Sequence, residues 1–218
     1  MLDAAEGGEV GFLDSYDEEV ARNALFDALR GHALAAKDLF DAGSVEDAAA
    51  NYYFPATVDH YDAVADDDLK TLMNAAGDAA FDGDAGAVAS AHQALLDGIG
   101  ANERTLRGPA ELGDEARVLG ALLQLAAFEY SEALHDGVLT NPTEYAHSRG
   151  FVRAARDRLT RLTASADGEA RERLLEAIDA VDGMLQAYPG AVPPIGDVGD
   201  LASIYGAAAR AELALSGL

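Results

Sequence analysis

Apolar residues recur at three- and four-residue spacings along nearly the whole chain, and the strict alternation that marks a half-buried strand is almost absent. Capping residues and glycines cut this pattern into helices. Ser15-Tyr16-Asp17-Glu18 reads as a capping box for a helix running to about Asp41 and stopped by Gly43. A second runs from Ser44 to about Val64, with Pro55 predicting a kink. Asp66–Asp68 open a third that ends near Phe81, and Asp84 caps a fourth that ends near Gly98–Gly100. Asn102–Gly113, which contains Gly108-Pro109, predicts a connector. Asp114 begins a helix that ends at Asp136-Gly137. Asn141-Pro142-Thr143-Glu144 opens the next with proline in its first turn and glutamate at the capping position. Asp167 starts a helix ending at Tyr188-Pro189, and a last one spans about Asp200 to Leu215. The expected fold is all-α, an antiparallel bundle of about eight helices.

The punctuation also sets out an organisation: a flexible acidic arm over 1–14, a helical half over 15–101, the connector over 102–113, and a second helical half over 114–218. Ala21–Tyr52 and Ala116–Tyr145 share one plan, a long helix, an Asp/Gly stop and a second helix with tyrosine near its start. Two readings follow: two related helical halves, or the chance likeness of Ala-rich helices; in either case the halves pack as one domain or stand as two.

Charge changes the picture of the surroundings. The chain of 218 residues carries 39 acidic against 15 basic side chains, a net charge of −24, and only Lys37 and Lys70 are lysines. Such a surface fits a halophilic, archaeal source, because at about 1 M salt the Debye length is only about 3 Å and self-repulsion is screened. The same charge opposes binding to nucleic acid or to an anionic membrane surface. The absence of cysteine excludes disulfides, thiolate metal sites and cysteine nucleophiles. No apolar run is long enough to cross a membrane, so direct insertion is not expected; the best, Val118–Phe128, is broken by Gly120 and Gln124. The first residues, MLDAAEGGEVG, do not form a signal peptide. Read literally they suit a cytoplasmic protein; a piece of a secreted or membrane-anchored protein fits equally.

The densest chemistry lies in Phe128–Phe151. Glu132/His135 and Glu144/His147 are Glu-x-x-His pairs on either side of a short turn, and Glu129 lies one turn before Glu132. Residues three apart on a helix are neighbours, so each pair can aim a carboxylate and an imidazole at one point. Two such pairs across a hairpin are the ligands of a carboxylate–histidine centre for iron or another divalent transition metal. The bland alternative gives Glu144 a capping role and His135 a place at a helix C-terminus. Asp59, His60 and Asp62 form a secondary candidate, set against an aromatic stripe that simply packs. His32 and His92, in Ala- and Leu-rich helical surroundings, read as structural. No nucleophile elbow, phosphate-binding loop or dinucleotide fingerprint is present, so an enzyme is not expected.

Glu129-Tyr130, Gly137, Glu144-Tyr145 and Phe151 together resemble the extracytoplasmic helical domain that precedes the membrane part of bacterial high-affinity iron permeases. Leu39–Gly43, Ala48–Ala50 and Asn51–Asp62, including Asp59-His60-Tyr61, resemble a second motif of that family. Where the family continues with glutamates, this chain has Asp62, Ala63 and Val64. The resemblance implies an extracytoplasmic domain that binds iron or delivers it to a permease or redox partner. The alternative is a non-catalytic structural or partner-docking helical module. Tyr130, Tyr145 and Phe151 are expected in the contact between the two helices of the hairpin.

Overall fold

Asp17, Asp66, Asp84, Asn141 and Asp200 each precede a helix, and each side chain accepts a hydrogen bond from a first-turn backbone N–H. These caps satisfy donors that have no partner inside the helix, which is why the boundaries fall there. The computed structural model describes residues 8–108, 110–194 and 198–218. In order they form α1 (Gly8–Leu13), α2 (Glu18–Asp41), α3 (Val45–Thr57), a 3-10 turn (Asp59–Ala63), α4 (Asp67–Asp82) and α5 (Ala85–Arg107). Then follow α6 (Leu112–Glu132), a two-residue hairpin β1 (Leu134–His135) and β2 (Val138–Leu139), α7 (Pro142–Ser165), α8 (Gly168–Leu185) and α9 (Leu201–Leu215). The all-α expectation holds.

Four local readings are corrected. The cap of α2 is Asp17, bonded to Val20 N at 3.1 Å, whereas the Ser15 hydroxyl turns back to the Phe12 carbonyl. The helix with Pro55 ends at Thr57, and Asp59–Ala63 tightens into the 3-10 turn. Residues 102–107, read as connector, extend α5 to Arg107. Within the expected arm, Gly8–Leu13 form α1, whose Glu9 and Leu13 are buried; residues 1–7 lie outside the described residues.

Two closed rings of helices result. Helix α2 packs on α3, α3 on α4, α4 on α5 and α5 on α2; likewise α6 packs on α7, α7 on α8, α8 on α9 and α9 on α6. Each ring is a four-helix bundle with its apolar stripes turned inward. The bundles share one continuous apolar core and are joined mainly through α2, which lies against both α7 and α6.

Glycine makes that junction close. A Cβ on Gly150 would overlap the Gly31 carbonyl, and one on Gly31 would overlap the Phe151 ring. The backbones of α2 and α7 therefore touch, and the neighbouring side chains are brought face to face.

At one end of the junction lies a buried ion network. Arg158 of α7 pairs with Asp27 of α2 and, at 2.6 Å, with Glu115 of α6. Arg30 reaches Asp27 at 3.1 Å and Glu103 of α5 at 2.5 Å, while Arg107 pairs at 2.9 Å with both Glu103 and Glu115. Burial pushes the Asp27 carboxyl up to about 6 despite the arginines around it. Among the described residues, no helix is long and apolar enough to cross a membrane.

Candidate metal centre

The same junction, about one helical turn along α2 from Asp27, places His32 beside His147 of α7. Their rings meet edge to face, with centroids 4.3 Å apart. His32 is also packed against Phe54, Tyr61 and Phe151, and His147 against Phe54 and Phe151. Aromatic rings thus screen the imidazoles from water on several sides.

Three carboxylates converge on this pair. Glu144, one turn before His147, holds its Oε2 3.0 Å from His147 Nδ1. Glu129 reaches the same place from α6, with a carboxylate oxygen within 4.8 Å of the donor atoms of Glu144 and His147. Glu9 enters from α1, its Oε1 3.3 Å from His32 Nε2 and 3.8 Å from His147 Nδ1. Its Oε2 accepts from the Tyr61 hydroxyl at 2.8 Å and lies 3.2 Å from His60 Nε2. Helix α1 is seated by Phe12, stacked on Phe128 at a centroid distance of 5.3 Å.

All five side chains are buried, Glu9, His32 and His147 to 4 %, 1 % and 1 % exposure. Their donor atoms form two overlapping triads, Glu9/His32/His147 and Glu129/Glu144/His147, each with every pair of donors within 4.8 Å. Donors bound at about 2.0–2.2 Å to one ion stand about 3 Å or slightly more from each other, which the 3.0 Å and 3.3 Å separations already meet, whereas the 3.8 Å one would have to close on an ion. Glu9 Oε1 has no hydrogen-bond partner although it is buried beside two imidazole nitrogens. An unpaired buried oxygen of a charged group is costly, and a cation among these atoms would satisfy it.

Burial opposes charge throughout the cluster, and neighbours decide each outcome. On Glu9 burial is outweighed by the facing imidazoles of His32, His60 and His147, so its carboxyl lies below the usual range. Glu144 is likewise lowered: burial raises it, but hydrogen bonds with His147 and Glu129 prevail. Glu129 is raised well above the ordinary value by burial, by its hydrogen bond to Glu144 and by the charge of Glu9. Burial and then His147 push His32 down to about 4 against the pull of Glu9. The site therefore offers carboxylates with lowered pKa at Glu9 and Glu144, a carboxyl at Glu129 that holds its proton more tightly than usual, and an imidazole at His32 that stays neutral at pH 7. This donor set suits iron, manganese or zinc.

The residues singled out in the sequence fare differently. Glu129, Glu144 and His147 come together. Glu132 is exposed at the end of α6, and His135 is 80 % exposed, its Nε2 3.7 Å from the Asp136 carboxylate. Both stand away from the cluster because α6 stops at Glu132 and the chain turns into the β1–β2 hairpin. Asp136 and Gly137, with φ of 51° and 78°, make the turn and point His135 outward. His60 borders the cluster through Glu9, but Asp59 and Asp62 face solvent, Asp62 paired with Lys70. Tyr130 and Tyr145 do meet between α6 and α7, joined by Tyr188 from the loop that follows α8, whereas Phe151 faces α2 instead.

Sequence reasoning missed Glu9 and His32. A signal existed for each: Glu9 precedes the apolar Phe12-Leu13 pair, and His32 follows a glycine inside an otherwise Ala-rich helix face.

A family model, the iron permease-associated 4-helix bundle domain, matches residues 108–216, which hold α6–α9 and half of the chain. The chain belongs to that family. No curated protein and no solved structure matches it. Membership associates the chain with iron permeases, a transport-related rather than an enzymatic family. The matched bundle supplies Glu129, Glu144 and His147, while Glu9, His32, His60 and Tyr61 come from residues before it.

Proposed function

We propose that this chain is a metal-handling domain that takes up iron as cargo in the cluster of Glu9, His32, Glu129, Glu144 and His147. In this reading it passes the ion to a permease or redox partner outside the cytoplasmic membrane. The observation that carries it is the Glu9 Oε1 atom, buried without a hydrogen-bond partner beside the nitrogens of His32 and His147. The family's association with iron permeases supports iron over other ions that fit the donors.

The division of labour follows from the elements. His147 and Glu144 sit on one face of α7, fixed by its contact with α2. Burial and the neighbouring carboxylates raise the Glu129 carboxyl, which limits the like-charge repulsion of a buried carboxylate cluster. Glu9 stands on α1, a six-residue helix, so the ligand most easily withdrawn is also the one that covers the site. Withdrawal of α1 would open a path for an ion to leave, which suits delivery better than storage.

Calorimetric titration of the metal-free chain with ferrous, manganous and zinc ions tests the reading. Saturable binding that releases protons supports it, because ligand protons are displaced. Absence of binding of any of the three would leave a structural or partner-docking module.

A further inference from the structure

Tyr52 of α3 is hydrogen-bonded to His92 of α5 at 3.0 Å, away from the cluster, and the other buried tyrosines fall into two kinds. Tyr130 donates to the Gly199 carbonyl at 2.7 Å, Tyr145 to the Gly190 carbonyl at 2.9 Å, and Tyr188 shares a hydrogen bond with Ser148. Those contacts tie loops to helices. Tyr61 is different. Its hydroxyl lies 2.9 Å from His32 Nε2 and 2.8 Å from Glu9 Oε2, between two groups that line the centre, and the side chain is fully buried.

We propose that the Tyr61 phenol oxygen is a further ligand of this centre and makes it prefer ferric ion to divalent ions. The inference rests on the reading of the cluster as a metal centre. Its geometric basis is position: the hydroxyl is hydrogen-bonded to Glu9 at 2.8 Å and to His32 at 2.9 Å, two of the proposed ligands, so that once its proton leaves, its oxygen faces the ion they hold. The backbone supports the placement. Tyr61 sits in the 3-10 turn, its N–H bonded to the Val58 carbonyl and its ring edge-on to His32, so the oxygen is held at the site. The His60 ring lies tilted against the same ring at a centroid distance of 4.4 Å.

The chemistry points to the trivalent ion. A phenolate oxygen is a hard anionic donor, as are carboxylates, and hard donors favour small, highly charged cations. On binding, the phenol O–H bond breaks, the oxygen–iron bond forms, and the proton passes to Glu9, already its hydrogen-bond acceptor, and on to solvent. Iron enters and remains ferric; no electron moves.

The test uses the full chain, wild type and Tyr61→Phe, titrated with ferric nitrilotriacetate and, separately, with zinc and manganous ions. Ferric loading of the wild type should give a visible phenolate-to-iron charge-transfer band with tyrosinate modes in resonance Raman spectra. Tyr61→Phe should lose the band and bind ferric ion at least about tenfold more weakly, while its zinc affinity changes by less than about threefold. Retained zinc binding and an unchanged near-ultraviolet circular dichroism spectrum show that the variant still folds. Ferric binding without the band, or a band that survives Tyr61→Phe, overturns this inference and leaves the metal centre standing. Failure of the wild type to bind any of the ions overturns both.

Discussion

The Gly31 carbonyl occupies the space that a Cβ on Gly150 would need. Because α2 and α7 touch at backbone level there, His32 and His147 stand within ring contact and Glu9 can reach both. Packing of the bundle junction and geometry of the candidate centre are thus one feature of the sequence.

Gly150→Ala should destabilise the protein by about 1–3 kcal/mol, the cost of overpacking where neither backbone can give way. Gly183→Ala is the control: nothing lies within 4 Å of its Cβ position, and alanine there should stabilise α8 by about 0.5–1 kcal/mol. Urea unfolding of both variants measures the difference. Equal effects would mean that the helices can separate at Gly31 without penalty.

The ion network at the same junction makes a second prediction. Arg158→Ala leaves Asp27 and Glu115 without their shared partner, and removing one member of a buried pair costs about 3–5 kcal/mol. Chemical denaturation should show a loss of that size. A loss below about 1 kcal/mol would place these groups in contact with water, at the level of a surface ion pair.

Most of the fold was legible in the sequence, because caps and stops are local. Asp84, Asn141-Pro142 and Asp200 announce helices through their own hydrogen bonds, and the all-α reading followed. The site was legible only where it too is local: Glu144 and His147 are one turn apart, and Glu129 lies on the facing helix. His135 has the same spacing from Glu132 but the wrong backbone, because Asp136-Gly137 makes a hairpin turn rather than a plain helix stop. Glu9 and His32 are joined to His147 only by tertiary packing across the bundle junction, and no spacing rule carries that information.

His32 predicts a pH dependence in the metal-free protein. Its pKa falls from 6.5 to about 4 on folding, so the unfolded chain binds more protons between those values. Its contribution is therefore complete above pH 6.5 and is lost as pH falls towards 4, up to about 3 kcal/mol. Asp27, raised from 3.8 to about 6, acts in the opposite sense over the same range. Comparison with His32→Phe separates the two: stability measured from pH 7 to 4.5 should fall less steeply in the variant. Parallel curves would mean that the His32 pKa does not change on folding.

Salt should stabilise the chain. With 39 acidic against 15 basic residues, repulsion dominates the surface, and raising potassium chloride from about 0.01 M to 1 M shortens the Debye length from about 30 Å to about 3 Å. The melting temperature should rise across that range. A melting temperature independent of salt would remove the basis for a halophilic origin.

His32 and His147, not His135, supply the imidazoles of the proposed metal centre. The direct measurement is calorimetric titration of ferrous ion into the wild type and into His32→Ala, His147→Ala and His135→Ala. His135, 80 % exposed on the hairpin, should be dispensable and its variant should bind like the wild type. Loss of either buried imidazole should weaken binding by at least about tenfold, or abolish it. Equal binding by all four proteins, or weakening confined to His135→Ala, would contradict the account.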